Sequence, residues 1–346
     1  MVQILRKGGG TMKGVITMDH GSGYGKTSEL IENMFLKYFS NSSLPQQSDS
    51  AVVGCPPDRI AFTTDSFVVK PVFFPGGDIG KLSVCGTVND LSVCGAVPKY
   101  ISCGFILEEG LPLADLEKIV VSMAQTAESC GVRIVTGDTK VVEKGFCDKV
   151  YINTSGIGFV KEEYAGIGQA EGLKEGDSII VSGTIAEHGL AVLSLRNSFE
   201  NSIVSDCAPL NRMIHKCLDT GTRIRFMRDA TRGGIAAVLS ELAEKKSLGI
   251  EIDETAIPIR DEVEGLCEIL GFDPLYIANE GKVIIAAAEE DTGIILETLR
   301  GTEEGKNSAV IGKVTSSHPG EIVIRTSAGG RRIVDIPAGT QLPRIC

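Results

Sequence analysis

Positive charge is scarce in this chain of 346 residues: 34 Lys and Arg stand against 45 Asp and Glu, and no Lys/Arg cluster occurs anywhere. The formal net charge of −11 gives no electrostatic footing for tracking a phosphate backbone, so no nucleic-acid partner is expected. Long hydrophobic runs are missing too. Stretches such as Val283 to Ala288 fall far short of the roughly 20 residues that cross a bilayer, and Met1 to Gly14 lacks the apolar segment of a signal peptide. The expectation is a cytoplasmic protein that does not enter a membrane. The ten cysteines contain no C-x-x-C and no paired His motif, which argues against a zinc or iron–sulfur site. Most lie in apolar segments, where Cys behaves as a small hydrophobe; Cys346 is the exception.

What is present points to two domains, since the length is about twice the usual domain size. Strand-like runs alternate with longer helical patterns, without low-complexity tracts or short repeats, and the polar, Gly-spaced stretch from Tyr164 to Asp177 is the best boundary. The spacing of Leu30, Ile31, Met34, Phe35 and Tyr38 predicts a helix capped by Thr27 or Ser28. Further helices are expected over Asp78 to Val97 and Leu113 to Cys130, with strands at Ile60 to Thr64, Ile101 to Glu108, Val132 to Thr136 and Val150 to Gly158. The second half repeats the mixture. Strands are expected near Ser178, Ile250, Val283, Ala309 and Glu321, and helices near His188, Leu210, Ile235, Val263 and Asp291. The pattern is that of an α+β protein.

Several polar residues sit where structure alone would not want them. His20-Gly21-Ser22-Gly23-Tyr24-Gly25-Lys26-Thr27 fails as a P-loop, because the first glycine of G-x-x-x-x-G-K-[ST] would fall at position 20. It still offers backbone N–H groups of Gly21, Gly23 and Gly25 and the charge of Lys26 to a phosphate, and equally fits an ordinary flexible loop. Asp65 directly follows a strand, Asn89-Asp90 interrupts an apolar helix, Asp138 follows the strand ending at Thr136, and Asp229 precedes Thr231-Arg232-Gly233-Gly234 at a helix start. Each Asp alone also fits a cap or a turn. Together they are hard oxygen ligands of the kind that hold Mg²⁺ with substrate phosphates.

Lys140 and Glu280 lie beside glycines at strand boundaries, one in each half, where they form either an acid/base couple across the domain interface or a surface ion pair. The segment Pro337 to Cys346 carries two prolines and a glycine and ends in a thiol. The residues beyond Asp335 could reach about 35 Å, so Cys346 is either a tethered nucleophile or an incidental Cys.

These residues together resemble the HypE family of nickel–iron hydrogenase maturation proteins, carbamoyl dehydratases of the AIR synthetase-like (PurM-like) superfamily. The resemblance runs through His20-Gly21-Ser22-Gly23, Thr64-Asp65-Ser66, Phe73-Phe74-Pro75-Gly76-Gly77, Cys85-Gly86-Thr87-Val88-Asn89-Asp90 and Ser102 to Gly110. It continues through Thr136-Gly137-Asp138-Thr139-Lys140-Val141-Val142, Arg228-Asp229-Ala230-Thr231-Arg232-Gly233-Gly234, Ala278-Asn279-Glu280-Gly281-Lys282 and Pro343-Arg344-Ile345-Cys346. Gly23-Tyr24-Gly25 stands where the family has Gly-Gly after His-Gly-Ser.

The resemblance implies a two-domain PurM-like fold of mixed sheets flanked by helices. It comprises a domain over 1–165 for ATP and Mg²⁺ binding and dimerisation, a second over 172–336, and a tail over 337–346. It implies that Cys346 is carbamoylated by the carbamoyltransferase HypF, that ATP drives loss of water to leave a thiocyanate, and that the cyanide passes to iron on a HypC–HypD scaffold. Asp65, Asp90, Asp138 and Asp229 are then the Mg²⁺ residues. Gly21, Gly23, Gly25, Lys26, Asn89, Asp65, Asp90 and Asp138 face the nucleotide. Glu280 is the base, and Lys140 orients the thiocarbamate. A homodimer is expected. The alternatives are a small-molecule kinase or synthetase of the same superfamily, and a non-enzymatic thiol carrier.

Overall fold

The computed structural model describes residues 14–21, 26–39 and 59–335. Gly23, Gly25 and the expected tail with Cys346 therefore lie outside the described residues.

Lys26–Leu30 (α1) and Leu36–Tyr38 (α2) flank a π-helical turn, Ile31–Phe35, and the predicted stripe buries Leu30, Met34 and Phe35. The first half is then built on a four-stranded sheet in the order β1-β6-β4-β5. These strands are β1 (Arg59–Phe67), β4 (Ala96–Glu108), β5 (Arg133–Val142) and β6 (Val150–Val160). The short strands β2 (Phe73–Phe74) and β3 (Gly77–Asp78) form a hairpin leading into α3 (Ile79–Val93). Asp78 caps that helix by accepting hydrogen bonds from the N–H groups of Gly80 and Lys81. α4 (Leu113–Cys130) follows its predicted limits and stops at Gly131, whose left-handed backbone lets its N–H close the last turn.

α3 and α4 cover one face of this sheet. Among the described residues no helix covers the other face, and its cross-strand rows are apolar: Ile60 pairs with Phe159 and that with Val97, and Phe62 pairs with Ile157 and that with Tyr100. Ile60, Phe62, Val97 and Ile106 are exposed there.

The second half is a seven-stranded sheet, β13-β12-β9-β11-β7-β10-β8, antiparallel except where β12 runs parallel to β9. Its elements in chain order are β7 (Ser178–Val181), α5 (Glu187–Asn197), α6 (Asn211–Leu218), β8 (Ile224–Asp229), α7 (Gly234–Lys246), β9 (Gly249–Asp253), α8 (Asp261–Leu270), β10 (Val283–Ala287), α9 (Thr292–Arg300), β11 (Ala309–Thr315), β12 (Ile322–Arg325) and β13 (Arg331–Ile333). Alternation along the central strands explains the layers. Ile179, Val181 and Ile284 pack with α5, α7 and α8, whereas Ile180, Val283 and Ile285 pack with α6 and α9. Because both faces are covered, β10 and, after Ser178, β7 read as continuous apolar runs.

Three expectations are corrected here. The helix drawn to Val97 ends at Val93, because Gly95 adopts φ +80° and turns the chain into β4. The strand drawn to Thr136 continues to Val142, because β4 offers a parallel partner as far as Glu108; Asp138 and Lys140 are thus strand residues. Asp65 likewise lies within β1, opposite Thr154. Among the described residues no helix is long and apolar enough to cross a membrane.

Candidate active site

A cleft of about 370 Å³ opens between β1 and α3 of the first half and β8 and α7 of the second. Thr63, Asp90, Asp229, Thr231, Arg232 and Glu241 line it. The hydroxyl of Thr63 donates to Asp90 Oδ2 at 2.8 Å. Asp65, one pleat along β1 on the same side, directs its carboxylate at α3: Oδ2 lies 3.8 Å from the position a Cβ on Gly86 would take.

Three carboxylates therefore share one field. Asp65 is exposed along one edge, yet crowding by protein raises its carboxyl, opposed by the Ser66 N–H and Arg232. Asp90 is raised by burial first and by Asp65 second, against the Thr63 hydrogen bond. Asp229, the last residue of β8, is pushed up to about 7, by burial and then by the charge of Asp90. Among the described residues no three His, Cys, Asp or Glu form a ready-made metal cage. These oxygens suit a cation that completes its shell with phosphate oxygens, which is how Mg²⁺ is commonly held.

Glu280 lies in the loop between the short helical turn Pro274–Tyr276 and β10, and is only 3% exposed. The loop is pinned by Asn279, whose Oδ1 accepts from the N–H of Ala186 while Nδ2 donates to the carbonyls of Ala230 and Ile277. Among the described residues no hydrogen bond or ion pair reaches the Glu280 carboxylate. Burial, and then the neighbouring charges of Cys207, Asp229, Asp206 and Asp65, hold its carboxyl well above the usual range. The structure thus brings Asp65, Asp90, Asp229 and Glu280 together, although Glu280 is 51 or more residues away in sequence from each of the other three.

The remaining candidates fall elsewhere. Asp138 is next to Gly104 and lies in the row of Asn153 and Ser66, on the uncovered face of the sheet, with two strands between it and β1. Its carboxylate pairs with Lys140 at 2.9 Å, both side chains being about two-thirds exposed (67% and 66%), and this contact first of all lowers its pKa. In this chain Asp138 does not join the other three carboxylates, and Lys140 makes no contact with Glu280. Gly21 ends a 3-10 turn, Met18–Gly21, that lies beside β5, and Lys26 forms an exposed ion pair with Asp19 at 3.2 Å.

Asn89 is corrected outright. Its amide is buried; Nδ2 donates to the carbonyls of Ala208 and Glu280, and Oδ1 accepts from the N–H of Leu210. No donor is left for a nucleotide, and its work is to join α3 to the second half. Two neighbours of Glu280 escaped the sequence reading, Asp206 and Cys207. The cue to them is faint: one charge inside the mostly apolar run Ile203 to Leu210.

The fold and its cleft define the class. The AIR synthase related protein family matches through its N-terminal domain model over residues 47–160 and its C-terminal domain model over 174–325. Within that class the chain is 46% identical over 338 residues to carbamoyl dehydratase HypE of Rhodobacter capsulatus, covering 96% of this chain and 98% of that protein. It superposes on the crystal structure of hydrogenase maturation protein HypE in complex with ATP with a TM-score of 0.91 at 44% identity, covering 95% of this chain and 99% of that one. It matches HypE in a HypE–HypF complex with a TM-score of 0.77 at 46% identity, covering 89% and 99%. The chain belongs to the HypE family.

Proposed function

We propose that this chain is an ATP-dependent carbamoyl dehydratase that converts an S-carbamoyl group on Cys346 to a thiocyanate, the source of the cyanide ligand of nickel–iron hydrogenase. The observation that supports it best is the buried Glu280 carboxylate, which no hydrogen bond from a described residue reaches and whose neighbours include Asp229 and Asp65 of the acidic cleft. Amide oxygen is a poor leaving group. Transfer of the γ-phosphoryl group of ATP to the carbamoyl oxygen, with loss of one N–H proton, makes it a good one. Removal of the second N–H proton then forms the C≡N bond and expels phosphate, so the water leaves as part of phosphate. Glu280 takes that proton. Thr63 holds Asp90, and Asp65, Asp90 and Asp229 would hold Mg²⁺ at the phosphate end of the nucleotide, where the ion would neutralise phosphate charge.

The first half, 1–165, carries most of this machinery, and 172–336 contributes Asp229 and Glu280. HypF is the carbamoyl donor, a HypC–HypD scaffold the cyanide acceptor, and the cytoplasm the compartment. The test is mass spectrometry of the intact chain and its last peptide after supplying HypF, carbamoyl phosphate and Mg-ATP, with Cys346→Ala alongside. An adduct on Cys346 that loses the mass of water only with ATP is expected. An unmodified Cys346, with donor and partner shown active, rejects the proposal.

A homodimer through the uncovered face of the four-stranded sheet accounts for its exposed Ile60, Phe62, Val97 and Ile106. A second copy there encloses the Lys140–Asp138 pair, the setting in which Lys140 would orient the thiocarbamate. Ile106→Glu buries an unpaired charge in such an interface, so sedimentation velocity should show a dimer for the wild type and a monomer for the variant. A wild type that sediments as a monomer removes the dimer.

A further inference from the structure

We infer that Asp206 is the positioning residue for the Glu280 base, holding the main chain of the Asn279-to-Lys282 loop from beneath. The inference deepens the dehydratase reading and rests on Glu280 being its base. The Asp206 side chain is only 2% exposed. Its Oδ1 accepts the N–H of Glu280 at 3.1 Å, and its Oδ2 accepts the N–H of Gly281 at 3.2 Å and the ammonium of Lys282 at 3.0 Å. Three consecutive residues of the loop are therefore fixed by one carboxylate that lies 74 positions away from the base.

The two segments touch at backbone level. A Cβ on Gly281 would lie 1.9 Å from the Asp206 carbonyl oxygen, so position 281 accepts only glycine while Asp206 stays in place. The N–H of Ala208 adds a bond to the Glu280 carbonyl at 3.4 Å. The far side of the clamp is equally fixed. Lys282 also faces Glu187 at 3.7 Å, Glu187 faces Arg260 at 3.5 Å, and the Ser205 hydroxyl accepts the Cys207 N–H and meets the His188 ring at 2.8 Å.

A buried ion network of this kind adds little stability over apolar residues of the same volume, so packing alone does not explain it. A general base must be held to within a fraction of an ångström of its proton, and a displacement of about 1 Å can cost 10²-fold in rate. Replacing Asp206 by Asn keeps the shape but presents an amide NH₂ to a donor, so at least one loop bond is lost.

The test uses the full chain, carbamoylated on Cys346 by HypF, in single-turnover dehydration with Mg-ATP followed by intact mass. Asp206→Asn, Asp206→Ala and Glu280→Gln are run in parallel. Asp206→Asn should slow the water-loss step about 10- to 100-fold at saturating ATP, with the KM for ATP changed by less than about threefold. Should Asp206→Ala fail to fold, the near-isosteric Asn variant carries the test. Asp206→Asn at the normal rate while Glu280→Gln is dead overturns the inference alone. A slow Asp206→Asn whose KM for ATP rises in parallel with a fall in melting temperature marks a merely structural residue and also overturns it. Glu280→Gln at the normal rate removes the base, and the inference with it.

Discussion

Glu280→Gln will trap the carbamoylated chain, slowing loss of water about 10²- to 10⁴-fold, the usual contribution of a positioned general base. The substitution leaves the loop in place. The hydrogen bonds that fix residue 280 are made by its main chain, through the N–H to Asp206 and the carbonyl to Asn89 and Ala208, so glutamine inherits the same position. What it removes is a carboxylate held above its usual pKa by burial and by the charges of Cys207, Asp229, Asp206 and Asp65. A carboxylate of high proton affinity is the better acceptor for an amide proton, and an amide side chain cannot accept one at all. Quenched samples analysed by intact mass should show the carbamoyl adduct persisting while ATP still binds. Thiocyanate at the wild-type rate would mean that another group is the base.

The second large effect is on stability, and its direction depends on pH. Asp229 titrates at about 7 in the fold, against 3.8 for an ordinary aspartate, because of burial and then the nearby charge of Asp90. Between these values the unfolded chain has released its proton while the folded one keeps it. The unfavourable ionisation therefore grows as pH rises from about 4 to about 7, and is fully present above. Asp229→Asn removes it. The nucleotide-free variant should match the wild type near pH 4 and gain stability steadily up to pH 8, where the upper bound is on the order of 4 kcal/mol and the melting temperature rises by several degrees.

Mg-ATP should reverse the order. On the proposed reading it stabilises the wild type by mass action, whereas the variant, lacking one of the carboxylates proposed to hold the phosphate end, gains much less. Melting curves that coincide at pH 5 and pH 8 without nucleotide would show that Asp229 carries no such strain.

Much of the architecture was legible because it follows from periodicity. The stripe of α4, with Leu116, Ile119, Val120, Met123 and Ala127 facing the core and Gly131 as the stop, sets both ends of that helix. The buried strands β7 and β10 announce themselves as short apolar runs between turns. β8 did not, since Arg225 and Arg228 interrupt Ile224-Arg225-Phe226-Met227-Arg228-Asp229; it is an edge strand paired with β10 alone.

Asp65, Asp90 and Asp229 stand out in the sequence as acidic residues at a strand end, inside an apolar helix and at a helix start, and Glu280 as one half of an acid/base couple beside glycines; the structure places the four side by side. What sequence could not convey is which face of a strand each occupies. Gly137-Asp138-Thr139-Lys140 has the composition of a turn, but a parallel neighbour draws it into β5, and the pleat then directs Asp138 and Lys140 away from the cleft. Asn89 reads like a ligand for the same reason that it is a brace: a polar group inside an apolar helix must find partners, and main-chain atoms across the interface supply them. Asp206 is invisible until the fold closes the 74-residue loop that ends at Glu280.

That brace has a mechanical consequence. Asn89 ties the middle of α3 to Ala208, Leu210 and the Glu280 carbonyl, one residue before the Asp90 that lines the cleft wall. The two halves are riveted next to the cleft, one residue from Asp90 and at the main chain of Glu280. Opening them like a book would shear three hydrogen bonds of a buried amide together with the seat of Glu280. Whatever binds in the cleft therefore enters and leaves without parting the halves at this joint, and the spacing between Asp90 and Glu280 is a fixed gauge set by the assembled chain.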